Sequence, residues 1–417
     1  MDLHIDGARL LRRLDELALI APITGPNGER GNARLALTDE DRAGRDLVVS
    51  WMRDLGLDVS VDGIGNVIAV MTGHPGVAPV MTGSHIDTVA TGGRFDGNLG
   101  VLAGLEVIES VIEAGIKLER PLAVGFFTDE EGARFAPDML GSLVYAGGLG
   151  LEEALDIVSI DGARLGDELE KIGYQGGAPC PGPAPHAFVE LHIEQGPVLE
   201  IEGFRLGAVT GVQGISWTRV TLSGQSNHAG TTPMQMRRDP AAAMIRIGAA
   251  LQEIVADVGS PQVGTIGSIE LKPNLINVVP ARATFTVDVR HTDERTLRDV
   301  ERRLRVEMER IAAEHGVELS TESLARFEPV VFDERVVSLV ERAAIERDLS
   351  VMRLPSGAGH DAQMMARLCP TAMIFTPSRG GVSHNPAEHT DDDDLVAGCQ
   401  VLADVMLALT VNAWMEE

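Results

Sequence analysis

The sequence predicts an α/β fold: a mixed sheet flanked by helices, with a smaller ferredoxin-like α+β domain inserted into it. Three observations carry this prediction. From Val77 onward, short apolar runs that suit buried strands alternate with helical segments. Near Gly211 the pattern shifts to half-exposed, alternating strands in a β-α-β-β-α-β order. After Glu328 the α/β character returns. The predicted division is 1–211, 212–327 and 328–417, with the first and third parts forming one domain.

Each element has its own local reason. Asp6 to Leu19 is an amphipathic helix, and Pro22 to Leu37 is rich enough in Gly and Pro to predict a loop. Thr38 caps a helix that runs to Leu55, and Asp58 to Val70 alternates around Gly63 and Gly65 as a strand pair does. Val77 to Met81, Leu122 to Phe127 and Ala187 to Ile193 are predicted buried strands, with an apolar helix over Val101 to Ile112. In the inserted part, Ile215 to Leu222, Val263 to Leu271 and Ala283 to Val289 are strands, and Asp239 to Val255 and Glu294 to Glu314 are helices. Val336 to Arg347 is a helix, Ala372 to Phe375 a strand, and Leu395 to Leu409 a closing helix.

Composition narrows the function classes. The chain has 417 residues, 44% of them apolar and 23% charged, as a soluble globular protein has. Its net charge of -27 argues against nucleic acid or an anionic membrane as partner. No apolar stretch reaches bilayer length, and Met1 to Arg13 lacks the apolar centre of a signal peptide, so a cytoplasmic protein is expected. Cys180, Cys369 and Cys399 are too widely spaced for a Cys-based zinc motif.

The chemistry gathers where strands end. The stretch Gly83 to Gly100 holds His85, Asp87 and Asp96 among glycines. Imidazole and carboxylate together suit a borderline divalent ion such as zinc. Asp87, two residues past His85, is positioned to orient that imidazole. Read alone, the stretch has a lesser alternative, a polar loop that holds no metal. Thr128-Asp-Glu-Glu-Gly132 follows a strand, His192 ends another, and Ser383-His-Asn385 follows a fourth. In open α/β sheets, ligands bind at the carboxyl ends of strands. Four such ends bearing His, Asp, Glu and His make a metal centre the expected reading. Of the adjacent Glu130 and Glu131, one can ligate while the other takes a proton from bound water.

The motifs Gly83-Ser-His-Ile-Asp-Thr88, Gly93-Arg-Phe-Asp-Gly97, Thr128-Asp-Glu-Glu-Gly-Ala-Arg134, Leu191-His-Ile-Glu-Gln-Gly196, Gln225 to Met234 and Ser383-His-Asn-Pro386 together resemble the M20 metallopeptidase superfamily. More closely, the chain resembles its amidohydrolase branch: N-carbamoyl-L-amino-acid hydrolases, allantoate amidohydrolases and β-ureidopropionases. The resemblance implies two divalent ions per subunit, zinc first, with manganese, cobalt or nickel also suited. It implies that Asp96 bridges them, with His85 and His192 completing one site and Glu131 and His384 the other. Glu130 is then the general base, and Gln195 lies near the substrate. His228 is implied as a donor to the developing oxyanion, often from the partner subunit. Asn277 and Arg290 match positions that hold a substrate carboxylate, although on residues alone Arg290 is as well an exposed strand-end arginine. Gly359 and His360 match a glycine-rich loop lining the pocket, and His360 is equally a structural residue.

The expected activity is metal-dependent hydrolysis of N-carbamoyl-L-amino acids to L-amino acid, carbon dioxide and ammonia. The expected assembly is a homodimer through the inserted domain, which also serves as a lid. Allantoate is the nearest rival substrate, then N-carbamoyl-β-alanine, then another amide or dipeptide of the superfamily. A catalytically dead ligand-binding relative is the rival from a different class, and the intact ligand set with an intact Glu130 argues against it.

Overall fold

A computed structural model describes residues 3–411 and Trp414. The chain divides into two compact units, Met1–Gly211 with Val331–Glu417, and Val212–Val330. Among the described residues no helix is long and apolar enough to cross a membrane.

The first unit is built on a mixed sheet. Its centre is four parallel strands, β1 (Val80–His85), β2 (Leu122–Phe127), β3 (Ala187–Ile193) and β4 (Thr371–Thr376), in the spatial order β4-β3-β1-β2. Every residue of the four is buried, which is why they appear in the sequence as continuous runs rather than alternations. Antiparallel strands flank them: Leu206–Val212 beside β4, and Val67–Val70 then Asp58–Val61 beyond β2. The strand order reverses at β1, whose neighbours are β2 on one side and β3 on the other. The chain therefore leaves β1 and β3 in opposite directions and opens a crevice at their carboxyl ends.

Helix α1 (Asn98–Glu113) follows β1 and is buried along almost its whole length. It lies close on the sheet because Gly100 and Gly104 face it, where a Cβ would come within 2.6 Å of the Leu191 carbonyl and of Thr82 Cγ2. Asp392–Leu409, which also packs on the sheet, and the N-terminal helix Gly7–Ala18 pack against α1. Arg9 of that N-terminal helix meets the buried Glu106 of α1 at 2.6 Å.

Three local readings change. The strand expected over Val77 to Met81 is Val80–His85. It continues through Thr82, Gly83 and Ser84, small polar residues that hid it; Ser84 is buried because its hydroxyl donates to Glu190 at 2.6 Å. Gly83 faces the Gly125 carbonyl so closely that a Cβ would sit 2.3 Å from it. The loop expected over Pro22 to Leu37 contains a short hairpin, Pro22–Thr24 with Arg30–Asn32, too brief to show a pattern of its own. The strand Val351–Ser356 lies on Leu206–Val212, and neither gave a clear signal.

The Val212–Val330 unit has its own antiparallel sheet, ordered Val263–Lys272, Arg282–His291, Gly214–Ser223, Glu318–Phe327. Two helices, Pro240–Val258 and Glu294–His315, interleave with these strands along the chain. Asp239 and Asp293 cap them by accepting from the first-turn amides. Their apolar stripes share one core with Val220, Leu222, Phe285, Val287 and Val289.

Candidate metal centre

His85 is the last residue of β1 and His192 the penultimate residue of β3, both 1% exposed. Each imidazole is oriented by a main-chain carbonyl. His85 Nδ1 donates to the Asp87 carbonyl at 2.9 Å, and His192 Nδ1 donates to that of Ile193 at 2.8 Å. These bonds place the proton on Nδ1 and turn the Nε2 lone pair of each ring inward. Both Nε2 atoms face Asp96 Oδ1, at 3.6 Å from His85 and 3.2 Å from His192.

The other oxygen of Asp96 serves a second group. His384 Nε2 is 3.5 Å from Asp96 Oδ2 and 3.2 Å from Glu131 Oε2. Asp96 is thus common to two donor groups, His85–Asp96–His192 and Asp96–Glu131–His384. Burial pushes the Asp96 carboxyl up, but the adjacent His192 and His85 more than reverse that and hold it well below the carboxylate range. His85 Nε2 and Glu131 Oε1 are buried and accept or donate nothing within the protein. Lone pairs without protons crowd around one carboxylate, and only a cation satisfies that set. The donors therefore fit divalent metal.

Glu130 is in neither group and stands beside them, its Oε2 3.4 Å from His85 Nε2. Burial raises its carboxyl well above the usual range, against the pull of His85. The turn that presents Glu130 and Glu131 is fixed at several points. Asp129 takes a left-handed φ of 56°, Asn66 accepts the Thr128 amide at 2.9 Å, and Glu130 accepts the Met139 amide at 2.7 Å. Asp87 completes it in an unexpected way. Its carbonyl holds His85, while its carboxylate accepts the amides of Glu130 and Glu131 at 3.3 and 3.4 Å. The carboxylate itself is 4.0 Å from His85 Nδ1. Asp87 therefore links the β1 end to the β2 end.

The family model described as peptidase family M20/M25/M40 matches residues 81–408, the span that carries every donor just described. The chain belongs to this family. It is 42% identical over 405 residues to the N-carbamoyl-L-amino-acid amidohydrolase of Rhizobium meliloti, covering 97% of this chain and 96% of that relative. It is 40% identical over 364 residues to the allantoate amidohydrolase of Escherichia coli (strain K12), covering 86% and 87%. Among solved structures, an amidase of the hydantoinase/carbamoylase family from Burkholderia multivorans is similar at TM-score 0.91 and 44% identity, covering 98% of each chain.

The remaining predicted site residues of this M20 chain fall into two places. Gln195, Gly359 and His360 are in the first unit. Gln195 donates to Asp96 Oδ2 at 2.8 Å, and its own Oε1 is buried without a partner. His360 lies behind His192, ring centroids 4.5 Å apart, with Nε2 on the Ser356 hydroxyl at 2.8 Å. Burial and the neighbouring His192 push its pKa well down. Gly359 precedes it, in contact distance of Met139.

His228, Asn277 and Arg290 belong to the second unit. His228 and Asn277 are exposed and adjacent: the two-residue ladder Asn227–His228 with Val278–Val279 is extended by the Ala229 amide donating to the Asn277 carbonyl at 3.0 Å. His228 Nδ1 accepts the amides of Gly230 and Thr231 at 3.0 and 3.2 Å, so its proton sits on Nε2. Arg290 lies over the Trp217 ring and is paired with Asp288 at 2.9 Å.

Sequence reasoning passed over Glu190 and Glu388. Glu190 is fully buried beside His192 and His360 and accepts from Ser84 and the Ala362 amide. A lone acid in the apolar run Ala187–Ile193 was the available signal.

One residue tests the crowding directly. Gly97 has a φ of 67°, and a Cβ there would lie 2.4 Å from His85 Cε1. Gly97→Ala is expected to push the imidazole away and lower the metal content measured by elemental analysis, on top of a backbone cost of about 1–2 kcal/mol. Unchanged metal content in a folded variant would remove His85 from the ligand set.

Proposed function

We propose that this chain is a metal-dependent amidohydrolase that cleaves the carbamoyl C–N bond of N-carbamoyl-L-amino acids. The observation that carries the reading is one carboxylate, Asp96, shared by two donor groups with Glu130 beside them. The likeness to a carbamoyl-amino-acid amidohydrolase across almost the full chain supports the substrate class. Two ions, one for each donor group, zinc before manganese, cobalt or nickel, would lower the pKa of a bound water and polarise the ureido carbonyl.

The rest falls to the protein. Glu130 takes a proton from the attacking water as its oxygen bonds to the ureido carbon. It returns that proton to the departing nitrogen as the C–N bond breaks, releasing one ammonia. The carbamate left on the amino acid loses carbon dioxide to give the free L-amino acid. Gln195 holds Asp96 and faces the substrate. His228, with its proton on Nε2, donates to the oxyanion. Asn277 and Arg290 select the α-carboxylate, for which the planar guanidinium is suited. Gly359 and His360 line the pocket.

We read the Val212–Val330 unit as a ferredoxin-like lid through which two copies pair, on the support of its β-α-β-β-α-β order. The three cysteines form no disulfide among the described residues, in keeping with a cytoplasmic enzyme.

The first test is ammonia release from the metal-loaded protein on N-carbamoyl-L-methionine, allantoate and N-carbamoyl-β-alanine. The carbamoyl α-amino acid is expected to be turned over fastest. Allantoate as the better substrate would move the chain to the second reading, which the 40% identical Escherichia coli relative supports. No release from any of them would sink the carbamoyl assignment. Hybrid dimers of His228→Ala and Glu130→Gln subunits should regain part of the activity that each parent lacks. Confirmed hybrids that stay inactive would return His228 to its own subunit's site or remove it from catalysis.

A further inference from the structure

We infer that Glu388 is a positioning residue that locks the Asp96 loop to the His384 loop and so holds the second donor group for its ion. This rests on the metal-hydrolase reading above. Glu388 is 4% exposed, and among the described residues no arginine or lysine pairs with it. A buried carboxylate without a cationic partner is costly unless its oxygens are hydrogen-bonded. Here Oε1 accepts the amides of Phe95 at 3.0 Å and Asp96 at 3.2 Å. Oε2 lies 3.1 Å from the Ser383 hydroxyl, which is also 3.1 Å from Asp96 Oδ2. Glu388 therefore grips Asp96 directly at its main-chain nitrogen, and the single Ser383 proton is shared between Glu388 Oε2 and Asp96 Oδ2. The Glu388 amide donates to the Asn385 carbonyl at 2.9 Å, closing the turn just after His384.

The two donor groups differ in their need for such a lock. His85 and His192 lie at the ends of buried strands. His384 sits on a loop at a left-handed φ of 54°, with its side chain 52% exposed. The sequence also reserves space for Glu388. Gly93 is buried at its side, and a Cβ there would lie 2.1 Å from both Cδ and Oε1 of Glu388. Gly93 has no positive φ, so alanine would be excluded only by that contact.

Metal titration of the apo full-length protein by calorimetry, with elemental analysis after dialysis, tests the role. Glu388→Ala is expected to weaken one ion by roughly 10–100-fold and leave the other in place. Gly93→Ala should do the same by displacing the side chain. The double variant should be no worse than either single one, because the clash disappears with the carboxylate. Glu388→Gln should bind like wild type. Its carbonyl can accept the two amides, and its amide can donate to Ser383, which leaves the Ser383 proton for Asp96.

Glu388→Ala with both ions bound at wild-type affinity would overturn the role, as would Glu388→Gln failing as badly as alanine, which would make charge the contribution. Additive losses in the double variant would also overturn it, since they mark two independent defects. Should Glu388→Ala not fold, Gly93→Ala against Glu388→Gln decides the matter by the same criteria. A wild-type chain that binds no ion would overturn this inference and the hydrolase reading together. A wild type with two ions and an unaffected Glu388→Ala overturns this one alone.

Discussion

Glu130→Gln is expected to keep the metal content of the protein and lower kcat by about 10²–10⁴-fold, the range for losing a positioned general base. The substitution keeps size and shape, so the turn survives. Its anchors are the Asp87 carboxylate on the Glu130 amide and the Met139 amide on the Glu130 carbonyl, and neither involves the side chain. Glu130 is outside both donor groups that share Asp96. What the amide cannot do is take a proton. Burial raises the proton affinity of the Glu130 carboxylate, which suits the general-base role proposed for it. Elemental analysis and steady-state ammonia release on the same sample separate the two effects. Loss of metal together with activity would reassign Glu130 as a ligand.

Asp96→Asn is expected to empty both sites and reduce turnover to background. Asparagine has one acceptor oxygen in place of two. Turned one way, its amide hydrogens occupy the Nε2 lone pairs of His85 and His192; turned the other, they face Gln195, which already donates to Oδ2 at 2.8 Å. A donor facing a donor in a site 3% exposed cannot be relieved by water. The negative charge common to both groups is lost as well. The affinity loss should exceed the 10–100-fold typical of residues that only support a ligand. Thermal unfolding offers a check independent of activity: a chelator should lower the Tm of the wild type and leave the variant unmoved. Retention of one ion would mean that Asp96 serves a single site.

Much of this was legible in the sequence, for reasons that differ by element. The parallel strands Leu122–Phe127 and Ala187–Ile193 announce themselves because burial on both faces leaves only apolar side chains. The helix cap at Thr38 is a single residue with a single physical task. The metal donors stood out because each follows a strand. The residues that support those donors did not. Glu388 is one acid in a polar loop, and nothing local distinguishes it from a solvated one. Asp87 was expected to orient His85, but which of its oxygens faces the ring depends on the turn after β2, 43 residues along the chain. Val351–Ser356 escaped notice because one side of it is partly exposed and it carries a proline.

The order of the chain has a consequence for how the enzyme is made. Strand β4 pairs with β3 in register from Phe188 with Thr371, and the whole Val212–Val330 unit is synthesised between them. As the polypeptide leaves the ribosome, that unit has all of its own strands before the first unit has its last. Until Thr371–Thr376 arrives, β3 offers a bare edge, and Asp96 has only one of its two flanking groups, since His384 comes later still. The Asp96–Glu131–His384 group is therefore complete only after the final strand has docked. A nascent or truncated chain ending before Thr371 exposes a sticky edge rather than a half-active enzyme.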